Sequence, residues 1–162
     1  MHRRHRSLSA PWLLALGATA GVWALAASPS WLSPGAGLAV RDGFSMLCHQ
    51  LADRSPHLHG AQWGLCFRCT GMVGGVALGL ASGPFVSSWF ARAADAWGGG
   101  RILLAFGVPM FVDWLLGATG LWANTPVSRL ATGAVFGMAA GWLLAEALLR
   151  PSSPVSLTQP TS

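Results

Sequence analysis

Apolar residues come in four long runs, separated by short stretches where Arg, Asp, Ser, Pro and Asn gather. The runs cover about residues 11–27, 69–90, 102–122 and 127–149. Each is close to the ~20 residues that carry a helix across a ~30 Å hydrocarbon core. They are continuous rather than alternating with a period of two, which excludes a closed transmembrane barrel. The pattern predicts an all-α integral membrane bundle of about four transmembrane helices, two hairpins in a single domain over 11–149. A basic head (1–10) precedes it, an outer loop (29–62) joins the first two spans, and a Ser/Pro/Thr-rich tail (151–162) reads as disordered.

Small residues refine the picture. Gly71, Gly75, Gly79 and Gly83 recur every four residues in the second span, as do Gly133, Gly137 and Gly141 in the fourth. Helices in lipid associate by close packing through such positions. The two ladders also begin alike, Arg68-Cys69-Thr70-Gly71 beside Arg129-Leu130-Ala131-Thr132-Gly133. This suggests a weak parallel repeat, which would set Arg68 and Arg129 at one membrane level. Within the outer loop, residues 42–53 read as an amphipathic helix with Phe44, Leu47, Cys48 and Leu51 on its apolar face. Gly17-x-x-x-Gly21 suggests packing by the first span, which is read as retained rather than as a cleaved signal peptide.

Composition adds class and orientation. Hydrophobic residues make up 52% of the 162 and charged residues only 9%, too few to cover a water-soluble domain. The charges are ten arginines, four aspartates and Glu146, which lies near the end of its span and is expected to reach water. A net charge of +5 would fit nucleic acid only if the arginines clustered among polar contacts, and they are scattered. The expected partner is the lipid bilayer, with no nucleic acid. Arg3, Arg4, Arg6, Arg92, Arg101 and Arg150 fall on one side of the spans; Arg41, Arg54, Arg68 and Arg129 fall on the other. The positive-inside rule then places both termini in the cytoplasm.

The residues able to carry chemistry collect on the outer side. All three cysteines lie within residues 48–69, with His49, His57 and His59 among them. Cys66 and Cys69 have the two-residue gap that lets both thiolates reach one ion; Cys48 and a histidine, His49 first, would complete a zinc site. In a second reading the same cysteines form a membrane thiol-disulfide oxidoreductase, with Arg68 and the helix start lowering a thiol pKa. In a third, a disulfide merely pins the loop of a non-catalytic scaffold. Asp113, inside the third span, is costly in lipid and calls for a partner, Arg68 or Arg129. Arg54, Arg68 and Arg129 together suit a phosphate or carboxylate, on an anionic lipid or a small anion handled by an enzyme or transporter. No hydrolase triad, P-loop or HExxH motif is present, and whether the chain is an enzyme stays open.

These residues resemble a family of small prokaryotic membrane proteins catalogued only as a domain of unknown function. The resemblance rests on Cys48-His49-Gln50, Arg54-Ser55 and Cys66-Phe67-Arg68-Cys69-Thr70-Gly71, then Asp113, Asn124 and Arg129 with Thr132-Gly133. It covers about residues 44–145 and implies a helical protein of a prokaryotic plasma membrane with a shared Cys/His/Arg/Asp centre. It implies no activity.

Overall fold

In the computed structural model the described residues are 9–149, without the side chains of Ser87 and Ser88. The basic head through residue 8, with Arg3, Arg4 and Arg6, and the tail from Arg150 onward lie outside them. Five helices account for most of the chain: α1 (Ala10–Ala27), α2 (Pro34–Phe44), α3 (Phe67–Trp97), α4 (Gly99–Ala118) and α5 (Pro126–Leu149). A two-stranded hairpin, β1 (His57–Leu58) and β2 (Ala61–Gln62), lies between α2 and α3. Among the described residues four helices are long and apolar enough to cross a membrane: α1 with the turn after it, the first part of α3, α4, and α5. Their backbone groups bond within the helix, the condition for spanning lipid. Leu13, Leu14 and Leu25 of α1 and Leu104, Val108 and Phe111 of α4 are exposed on the bundle, as lipid-facing side chains would be.

The core of the fold is the α3–α5 pair. A methyl group added at Gly71 would strike the Leu130 carbonyl, and one at Gly133 the Arg68 carbonyl. Gly75 meets Ala134, Gly137 meets Met72, and Gly79 and Gly141 face each other. Partner numbers rise together along both helices, so α3 and α5 run parallel, ladder against ladder. With hydrogen in place of side chains the backbones touch, and dispersion stands in for the missing hydrophobic drive. Arg68 and Arg129 therefore lie at one end of the bundle.

The other helices are fastened to this pair at its far end. Trp12 of α1 is buried and donates its indole N–H to the Leu80 carbonyl at 3.0 Å. Ser9 Oγ donates to the Leu148 carbonyl at 3.0 Å, so the start of α1 meets the end of α5 and α1 runs antiparallel to it. The first and last described residues thus share one face of the bundle. Phe90, Phe106 and Trp142 join α3, α4 and α5, the Phe90 and Trp142 centroids lying 4.9 Å apart.

Three expectations are corrected here. Residues 42–53 are not a helix: Ser33-Pro34 opens α2 earlier, proline suiting a first helical turn, and α2 ends at Phe44. Phe44 and Cys48 are buried there, whereas Leu47 is 77% exposed. Gly17 and Gly21 pack against nothing, since no atom lies within 4 Å of a side chain built there. Beyond the second apolar run, where the pattern sets no expectation, α3 continues through Trp97 on Ala-rich sequence until Gly98, at φ +81°, turns the chain. Glu146 does not reach water; it is 4% exposed.

A thiol cluster and cationic cavity at one end of the bundle

The site lies where α3 and α5 begin. Cys66 is the N-cap residue of α3, in extended conformation, which places Cys69 in the first turn beside it. Cys48 reaches them from the loop. Phe44, Cys48 and Leu65 pack with Ala26 into a small core, and the backbone N–H of Cys66 donates to Cys48 Sγ at 3.3 Å. The three sulfurs lie within 4.8 Å of one another, and all three cysteines are free thiols. Zinc–sulfur bonds of about 2.3 Å at tetrahedral angles set sulfurs about 3.8 Å apart, so one ion needs only a small contraction of the cluster. The Cys66 thiol is held below the ordinary thiol range, first by the hydrogen bond from Cys48 and then by that from Cys69.

A closed ring of side chains holds the Cys48–Gln50 loop. Arg41 donates to the Gln62 side chain at 3.1 Å, Gln62 to the Gln50 carbonyl at 2.6 Å, and Gln50 to the Arg41 carbonyl at 2.6 Å. Gln50 sits at φ +48°, a left-handed conformation that these two amide bonds stabilise. The turn drops Cys48 onto Cys66 and leaves His49 outside the helix geometry expected for it. Arg41 and Gln62 carry no motif signal, and nothing in the sequence links them.

A cavity of about 770 Å³ opens beside the thiols, lined in part by Cys48, His49, Cys66, Cys69, Arg54 and Arg129. Arg68 lines it too and donates to Asp113 at 2.5 Å, which decides between the two partners expected for that carboxylate. Asn124 donates its amide to the main-chain carbonyl of Asp113 and packs against Gly117, where no side chain would fit. The loop before α5 is thereby tied to α4. Arg54 is exposed and pairs loosely with Asp53 at 3.4 Å. His49 is exposed and lies outside the three-sulfur cluster while lining the same cavity. His57 and His59 are exposed on the hairpin and line neither.

Comparison with known proteins adds class without activity. The family described as "Predicted membrane protein (DUF2085)" matches residues 48–143, more than half of the chain. The chain is similar to the uncharacterized protein MJ1492 of Methanocaldococcus jannaschii, 27% identical over 129 residues, 79% of this chain and 74% of that protein. No solved structure matches.

Proposed function

We propose that this chain, which belongs to the DUF2085 family of predicted membrane proteins, is a metal-binding membrane protein whose Cys48, Cys66 and Cys69 thiolates hold zinc. One observation carries the reading: three thiols from two distant segments lie within 4.8 Å of one another in a multi-pass bundle. Thiolates at that spacing select a soft or borderline ion, and zinc takes sulfur and imidazole in a tetrahedral set. The Cys66 N–H on the Cys48 sulfur is the kind of outer contact that orients a thiolate ligand. We assign the fourth position to His49, which lines the cavity beside the cluster. Because residues 48–50 are not helical, adjacent Cys48 and His49 need not point apart. The arginine pattern supports an outward-facing site in a prokaryotic plasma membrane, with both termini cytoplasmic.

The test is metal analysis of the full chain purified in a mild detergent. One zinc per chain is expected, lost in Cys48→Ser, Cys66→Ser and Cys69→Ser and weakened in His49→Ala. Thiols of the loaded protein should resist alkylation until chelator is added. Protein that carries no stoichiometric ion and is alkylated equally with or without chelator would overturn the proposal. So would a disulfide among the three cysteines in protein from untreated cells, which would favour thiol exchange instead.

A further inference from the structure

The cavity has a charge imbalance that the metal reading does not resolve. Arg54, Arg68 and Arg129 line it, and among the described residues no aspartate or glutamate does. The charge of Arg68 is met by Asp113, and that of Arg54 in part by exposed Asp53. The Arg129 side chain makes no hydrogen bond or ion pair among the described residues, although it is half-buried. It sits in the first turn of α5, where the helix dipole is positive, and the start of parallel α3 lies level with it. A guanidinium there adds to a potential that an anion would relieve. Zinc with three thiolates contributes one net negative charge, which together with Asp113 leaves the three arginines one positive charge in excess, met only in part by exposed Asp53.

We propose that the cavity binds a phosphate group, with Arg129 as its principal contact and Arg54 closing from the loop. A planar guanidinium meets two phosphate oxygens at once, a geometry lysine lacks. The volume of about 770 Å³ far exceeds a bare phosphate, and one part of the wall, Met72, Met110, Trp114 and Trp122, is apolar. Trp114 of α4 and Trp122, just after it, are more than half exposed, so this wall continues onto the outer surface of the bundle beside α4. The phosphate can thus arrive free or as the head of a lipid; the charge argument is the same for both.

Calorimetric titration of the full chain in an uncharged detergent separates the sources. The probes are inorganic phosphate, dihexanoyl phosphatidic acid and, as a zwitterionic control, dihexanoyl phosphatidylcholine. Saturable binding of a phosphate-bearing probe is expected, with phosphatidic acid tighter if the head of a lipid is the ligand and inorganic phosphate equal to it if the free ion is. Arg129→Gln should raise Kd by at least about tenfold, and Arg129→Lys by less. Both should keep the wild-type melting midpoint, and binding should survive chelator. Three results overturn the proposal: neither phosphate probe saturates, phosphatidylcholine binds as tightly, or folded Arg129→Gln binds like wild type. If Arg129→Gln does not fold, a wild-type Kd in Arg129→Lys removes the two-point guanidinium contact and the proposal with it. Because the metal test and this one read different ligands, either can fail alone.

Discussion

The pair between Arg68 and Asp113 joins α3 to α4 at the depth of the cavity, and its removal should be costly in a way that depends on which partner goes. The two groups meet at 2.5 Å, their side chains 22% and 9% exposed. Deleting one partner of a buried pair leaves an uncompensated charge and costs about 3–5 kcal/mol. Asp113→Asn should fall at the lower end, near 3 kcal/mol, because Arg68 borders the cavity and keeps some water. Arg68→Gln strands the more buried carboxylate and should fall nearer the upper end, about 4–5 kcal/mol. The double variant orphans no charge, so its loss should be only about 1–3 kcal/mol, smaller than either single loss. The assay is equilibrium unfolding in mixed micelles of mild detergent and dodecyl sulfate, followed by helical circular dichroism. Single losses that sum to the double loss within about 0.5 kcal/mol would show no coupling and refute the pair as a structural tie.

Gly137→Ala should destabilise by about 1–3 kcal/mol in the same assay, since a methyl group there meets the Met72 backbone and the helices must part. Gly21→Ala, where nothing lies within 4 Å, should be neutral or slightly stabilising; equal losses in the two would refute ladder packing. Metal-free protein should be alkylated fastest at Cys66, read by peptide mass spectrometry. Its rate should change little between pH 7 and 9, because a thiol with a lowered pKa is already thiolate there; an ordinary thiol would gain roughly tenfold per unit below its pKa. By linkage, that lowered pKa adds stability fully present above the unfolded thiol's value of 9.0 and lost as pH falls toward the folded one. Gln62→Ala opens the ring that holds the loop and should lower zinc retention by about 10–100-fold, the size of an outer-shell loss, while leaving the helix content intact.

What could be read from the chain beforehand follows from the range of the forces involved. The spans were legible because hydropathy is summed over ~20 residues and lipid leaves the backbone little choice but helix. The glycine ladders were legible for a related reason: a spacing of four is a local property of one helix, and only the partner had to be supplied. Where tertiary contacts decided the conformation, local pattern failed. Residues 42–53 have helical periodicity, yet the Phe44 ring packs against Gly64 and the Arg41–Gln62–Gln50 ring bends the chain away. The ring joins residues up to 21 positions apart, and its members look like ordinary polar loop residues. The spurious Gly17–Gly21 motif is the converse, a correct spacing on a helix with no neighbour at that face. The site combines both cases. Once α3 and α5 are known to run parallel with Gly71 against Leu130 and Gly133 against Arg68, Arg68 and Arg129 must share a level, as the likeness of the two ladders suggested. Their different roles follow from α4, whose carboxylate pairs with Arg68 and not with Arg129, leaving Arg129 at the cavity with its charge unmet among the described residues.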